Sequence, residues 1–232
     1  MDVFVIPVGP ARYELYCEQP FTAEPAAASV DDSLTGRLKR RFEDLLRRAE
    51  QWEPPTAGDS SRNLITRVQD KAMAWVAERV VEQRLLWNLR RETAVTAIHP
   101  DDLSAQTARS IIDRALKQDE ERHSYWVWVD GVLFVVTFVG LGPLFLLIPG
   151  IANLPAIYFG FRTAGHWYSR GGAKHGLRAV TWITQPCAPL TELRQIATLP
   201  PGVGERRLDE IAVSLGLHNL GSFYDRVSKA SL

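Results

Sequence analysis

Cysteine is scarce in this chain: two residues, Cys17 and Cys187, among 232. That excludes a disulfide scaffold and a four-cysteine zinc site. The two can pair only with each other, and nothing in their local sequence calls for it. A surplus of charge is also lacking. Lys plus Arg is 27 and Asp plus Glu is 27, so the formal net charge is zero. A general nucleic-acid binder normally shows a basic surplus or stripe, so no nucleic-acid partner is expected. Catalytic signatures are missing as well. No nucleophile elbow, P-loop or dinucleotide fingerprint occurs. Gly171-Gly172 and Pro200-Pro201-Gly202-Val203-Gly204 are glycine-containing turns without the flanking motif. The chain reads as a non-enzyme, with no catalytic, cofactor-binding or metal-binding residue assigned. No basic stretch precedes the four-residue apolar run Val3 to Ile6, so neither a signal peptide nor a transit peptide is expected there. The last absence is the most informative. Between Asp130 and Arg162, 31 consecutive residues carry no charge.

Outside that run the composition is that of a globular protein, with a mean hydropathy of −0.12. Val3 to Val8 reads as a strand and Gly9-Pro10 as a turn. Arg12 to Glu18 alternates, with Tyr13, Leu15 and Cys17 on one face. A β-hairpin over residues 1–18 follows, and it must pack on helices because an isolated pair of strands is marginal in water. Residues 19–32 are rich in Pro and Ala without a period and read as a linker. Residues 53–63 read as another. Between them, Ser33 is an N-cap candidate, and Leu34, Leu38, Phe42, Leu45, Leu46 and Ala49 recur at helical spacing among arginines. That basic amphipathic helix suits either a helical core or an anionic membrane surface. A long amphipathic helix is expected over 64–98, with Val68, Ala72, Trp75, Val76, Val80, Leu86 and Trp87 on its stripe. Pro100 stops it, and a third helix is expected from about 101 to 123. Residues 33–123 therefore form an amphipathic helical region, and the fold class is mainly α. Asp119, Glu120 and His123 cluster, and Asp119 and His123 share a helix face, but a second ligand pair and any HExxH-type motif are lacking, so metal is not expected.

The uncharged run is long for one membrane helix and short for two. Widened to Ser124–Ser169 it accommodates two helices around a turn at 142–150, where Gly140, Gly142, Pro143, Pro149 and Gly150 supply breakers. Three features favour a membrane-inserting helical hairpin over 124–169. Tyr125, Trp126 and Trp128 precede it and Trp167 and Tyr168 follow it, as in an interfacial belt. Lys and Arg flank both ends but not the turn, which places both flanks on one side. Asp130 and Arg162 lie at matching depths and can pair, which offsets the cost of burying either alone. A re-entrant hairpin, a single kinked span and a buried hairpin in a soluble protein are the alternatives. Asp130, Asn153, Arg162 and His166 are the candidate ion-pathway or hairpin-clamp residues, with Thr137 and Tyr158 as further polar groups in the segment. His166 titrates near neutral pH in an ordinary setting. Asn153 lies in a broken stretch whose free carbonyls suit a cation, or it caps a helix. One hairpin cannot enclose a pore, so transport requires a homo-oligomer or partner membrane subunits.

Residues 170–188 read as a connector and 189–232 as a C-terminal helical appendage, broken at Pro200-Pro201-Gly202. Asp209 to Phe223 resembles a helix-turn-helix of bacterial transcription regulators. Basic and acidic residues balance from Glu205 to Lys229, whereas a DNA reader needs phosphate-binding cations.

Several further segments resemble one family. They are Asp2-Val3-Phe4-Val5-Ile6-Pro7-Val8-Gly9 with Arg12-Tyr13-Glu14-Leu15-Tyr16, then Glu82-Gln83-Arg84-Leu85-Leu86-Trp87, Pro100-Asp101-Asp102-Leu103 and the Pro149-to-His166 stretch. In this order they resemble the mitochondrial potassium–proton exchange-related family and its bacterial members. The resemblance covers most of the chain, and none of its pieces is a catalytic motif. It implies a membrane protein that takes part in or regulates potassium–proton exchange, in a bacterial or mitochondrial inner membrane. The bilayer, potassium and protons are the implied partners, and no ion-binding residue comes with the resemblance. The alternatives are a membrane-anchored helical adaptor without transport activity and a soluble regulator with a helix-turn-helix-like tail.

Overall fold

A computed structural model describes residues 1–19, 83–140, 154–196 and 204–229. The expected linkers, the basic helix over 33–52, the start of the 64–98 helix, the 142–150 turn and Asn153 lie outside these residues.

Val3-Phe4-Val5-Ile6 and Tyr13-Glu14-Leu15-Tyr16 alternate sides as strands do. They form β1 (Asp2–Pro7) and β2 (Tyr13–Tyr16), paired antiparallel with Phe4 opposite Tyr16 and Ile6 opposite Glu14. The N-terminal strand pair is therefore present, but it is part of a larger sheet. α1 covers the described residues 83–89. The helix expected to run to residue 98 ends there, because Ala94–Pro100 is β3. Val95, Ala97 and His99 are buried in alternation, and two β-branched residues, Thr96 and Ile98, separate them. Period two on a sheet prevails over helical spacing here. Pro100 thus closes a strand instead of stopping a helix. β3 pairs parallel with β1 on one side and with β4 (Thr181–Cys187) on the other, giving the order β2-β1-β3-β4. β4 lies in the stretch read from sequence as a connector.

α2 (Ala105–Gly140) starts four residues after β3 instead of at residue 101. Ser104 caps it: its Oγ accepts the Thr107 N–H at 3.1 Å. The helix does not stop at residue 123 but runs on through 36 residues, a length of about 54 Å. α3 (Leu154–Arg178) returns alongside it. A side chain on Gly176 would meet Leu116, and one on Gly160 would meet Phe134. Low numbers of α2 thus meet high numbers of α3, which makes the pair antiparallel. This pair is the crossover joining β3 to β4. At more than twice the length a seven-residue strand reaches, α2 outruns the sheet it serves.

Strand parity divides the core. Val3 and Val5 share a face with Val95 and Ala97, and all four are buried. Trp182 lies on that face too. Its indole N–H donates to the Gly176 carbonyl at 2.9 Å, and the Arg109 guanidinium stacks on its ring. α1 crosses α3 there. The indole of Trp87 donates to Ser169 Oγ at 2.9 Å, and a Cβ on Gly172 would lie 1.6 Å from the Leu86 carbonyl oxygen. Phe4 and Ile6 point to the opposite face. There they join Leu190 and Leu193 of α4 (Ala188–Ile196), Leu208 and Ile211 of α5 (Glu205–Leu215) and Leu220 of α6 (Leu220–Lys229) in one buried cluster. Gly216, at φ 67°, ends α5 with its own N–H on Val213 and the Leu217 N–H on Ala212, a Schellman stop. The Glu18 carboxylate accepts the N–H groups of His218 and Asn219 at the start of α6. The C-terminal helices are the cover of one sheet face and not an appendage. Among the described residues the chain is mostly helical with its N-terminal strand pair, as expected.

Candidate functional site

The α2–α3 seam carries the site. On α2, His123 and Asp130 are two turns apart and share a face. On α3, Tyr158, Arg162 and His166 recur at four-residue spacing and share another. The antiparallel register presses these two stripes together.

Asp130 is fully buried. Arg162 Nε lies 3.2 Å from its Oδ2 and His166 Nε2 lies 3.4 Å from the same oxygen. Among the described residues both Asp130 oxygens lack a hydrogen-bond partner of regular geometry, and the contacts with Arg162 and His166 are ion pairs at one oxygen. Charge, not directed bonding, holds the carboxylate. The other edge of the His166 ring faces His123, with the two Nδ1 atoms 2.8 Å apart. Arg162 extends the chain outward by donating from Nη1 to the Tyr158 hydroxyl at 3.3 Å. Its guanidinium also sits over the Trp126 ring at 5.4 Å, and Trp126 stacks on His166 with ring centroids 6.2 Å apart. A cation on an indole face is stabilised by the ring quadrupole. The result is one continuous polar chain, His123–His166–Asp130–Arg162–Tyr158, lined by an aromatic wall.

The chemistry open to this chain is proton transfer. Two Nδ1 atoms in contact need one proton between them, so one ring donates and the other accepts. With the proton on His123 Nδ1, His166 accepts at Nδ1 and presents Nε2–H to Asp130. His166 thus stands between His123 and the Asp130 carboxylate, 2.8 Å from the one and 3.4 Å from the other. One turn below His123, burial raises the Asp119 carboxyl to about 6, the negative Glu14 pushes the same way, and Arg122 opposes them.

Three of the four residues singled out from sequence, Asp130, Arg162 and His166, are therefore brought together. Thr137 is not part of the chain: its hydroxyl donates to the Leu133 and Phe134 carbonyls of its own helix. His123 joins the chain too, although its sequence neighbours Asp119 and Glu120 point only to a metal question. Its seven-residue spacing to Asp130 was the available signal. Trp126, expected in an interfacial belt, instead packs on Arg162 and His166. Among the described residues no group of three His, Cys, Asp or Glu side chains is placed to hold a metal ion.

The outer surface of α2 is ordered along its length. Lys117, Glu121 and Arg122 are exposed first, then Tyr125 and Trp128, then Val132, Val135, Val136, Phe138 and Val139. Among the described residues α2 is the one helix long and apolar enough to cross a membrane by length and composition. No curated protein and no solved structure matches the chain. The family model described as mitochondrial K+-H+ exchange-related matches residues 2–180, which takes in β1 to β3 and the whole α2–α3 seam. With more than half of its length covered by that match, the chain belongs to the mitochondrial potassium–proton exchange-related family.

Proposed function

We propose that the chain is a membrane protein that takes part in or regulates potassium–proton exchange, with the His123–His166–Asp130–Arg162 chain as its proton-responsive element. The family name supplies the process and points to a mitochondrial association. The observation that carries the reading is the placing of this polar chain. It lies between two helices, with Asp130 buried, at the level where the outer surface of α2 changes from charged to aromatic to aliphatic. A membrane interface selects that sequence of side chains, and ionisable groups held there are functional candidates by default. Homo-oligomers or partner membrane subunits belong to the same proposal, since two helices enclose no path.

The test uses inverted membrane vesicles from cells that express the chain or lack it. A potassium pulse is applied across an imposed pH gradient, and proton movement is followed with a pH-sensitive dye. Vesicles with the wild-type chain are expected to lose the gradient at a different rate from vesicles without it. Asp130→Asn is expected to abolish the difference at equal expression. Equal rates in all three would overturn the proposal and leave a membrane-anchored adaptor without transport activity.

A further inference from the structure

The outer side of α2 holds a hollow that the polar chain does not use. Lys117, Glu121, Ser124, Tyr125 and Trp128 recur three or four residues apart, so they stand on one side of the helix. With Glu120 they line a hollow of about 460 Å³. Two of its walls are bare rings, Tyr125 at 64% exposure and Trp128 at 74%, where apolar bodies with polar tips favour a boundary between water and lipid. The same line continues into the exposed Val132, Val135, Val136 and Val139. From its charged end it reads ammonium, carboxylates, phenol, indole, valines. Trp128 lies about 10 Å below Glu121 along the axis, and the polar layer on one side of a bilayer is roughly 5–8 Å thick. The line thus crosses that layer, with one end in water and the other in hydrocarbon.

Charge decides which lipid fits. The hollow carries two carboxylates, Glu120 and Glu121, against one ammonium, Lys117. Arg122 follows Glu121 but lies roughly 100° away around the helix, where it acts on Asp119. An anionic headgroup brings a phosphate without a cation of its own and meets net negative charge. A headgroup with a primary ammonium brings both signs. Its N–H donors suit the Glu120 and Glu121 carboxylates. Its phosphate suits the Lys117 ammonium and the Tyr125 hydroxyl, and the Trp128 indole N–H, a donor only, suits an ester carbonyl. Resting on the membrane reading above, we propose that this hollow binds a phospholipid with a primary ammonium headgroup, one acyl chain lying on the valines. Tyr125 stands edge-on to Trp126 with ring centroids 5.5 Å apart, and Trp126 packs on Arg162 and His166. The lipid is therefore one ring away from the polar chain.

The experiment uses the full chain, purified in a non-ionic detergent. It is titrated with phosphatidylethanolamine, phosphatidylcholine and phosphatidylglycerol of matched acyl chains, and bound lipid is counted by native mass spectrometry. Phosphatidylethanolamine is expected to bind about three- to five-fold tighter than phosphatidylglycerol, the size of one partly screened ion pair. Glu120→Gln with Glu121→Gln is expected to abolish that preference. Trp128→Ala is expected to weaken the ethanolamine and choline lipids alike, by about three-fold, the worth of an exposed cation over an indole. Asp209→Asn, at an exposed position of α5, is the control and is expected to change neither. Tighter binding of phosphatidylglycerol, or a preference that survives the double Gln variant, would overturn the headgroup site. Equal or tighter binding of phosphatidylcholine would overturn the primary ammonium. Host membranes washed with alkaline carbonate test the underlying reading separately. The chain is expected to stay with the membranes, and its release would overturn the membrane reading whatever the titration gives.

Discussion

At the scale of single residues, the burial of Asp130 decides most of the behaviour of the site. A carboxylate with no exposed surface is tolerated only when a cation compensates it. Removing one partner strands the other. Asp130→Ala is expected to cost about 3–5 kcal/mol, the usual result of orphaning one member of a buried pair, read as a lower melting midpoint in detergent. The double variant Asp130→Ala with Arg162→Leu is expected to regain part of that loss. A double variant as unstable as the single one would show that the pairing is not what matters. Asp119 gives a pH signature outside the apolar segment. Its carboxyl is raised to about 6 in the fold by burial, then by Glu14, against the pull of Arg122. Its protonated form is therefore the one the fold favours. The stability it contributes is full below the ordinary carboxylate pKa and is lost as pH rises through about 6. Asp119→Asn is expected to shrink the drop in melting temperature between pH 4.5 and pH 7.5. An unchanged drop would assign it to other groups.

At the scale of elements, close approach at one glycine determines how α1 meets α3. A methyl group on Gly172 would sit 1.6 Å from the Leu86 carbonyl oxygen, which is backbone and cannot rotate away. Alanine normally improves a helix interior by about 1 kcal/mol over glycine. Here the overlap dominates, and Gly172→Ala is expected to destabilise by about 3 kcal/mol or more, at or beyond the upper end of overpacking costs. Gly140→Ala is the control, since nothing lies within 4 Å of the Cβ it would add. Equal midpoints for the two variants would mean that α1 does not cross α3 at this point. At the other end of the chain, Glu18 caps α6 through the N–H groups of His218 and Asn219. Glu18→Ala is expected to cost about 1 kcal/mol, the typical value of an N-terminal cap, seen as a small downward shift in chemical denaturation.

At the scale of the whole molecule, the sheet is the part that needs both halves of the chain. Val3 and Val5 face the side crossed by the long helices, and Phe4 and Ile6 face the C-terminal helices. The family match ends at residue 180, yet β4 and the helices that bury Phe4, Ile6 and Tyr16 lie beyond it. A chain truncated after Cys187 is expected to expose that cluster. It should bind a hydrophobic dye strongly and melt earlier than the full chain. If it melts at the same temperature, the C-terminal helices are an accessory to the fold.

Local chemistry alone determined a good deal here. The alternation of Val3 to Ile6 and of Tyr13 to Tyr16 gave the strand pair, and the charge-free run bounded by Asp130 and Arg162 gave two helices and their pairing level. These features were readable because each depends on neighbours one or two turns apart. The strand over Ala94–Pro100 was not readable as such. Its short apolar run fits either period until β1 and β4 are there to pair with it, and strand pairing joins residues about ninety positions apart. The same holds for His123. Its place in the polar chain exists only because the antiparallel register sets it against His166, 43 residues away. Side-chain identity is local, but contact across a seam is set by how two elements pack, and only the tertiary structure decides that.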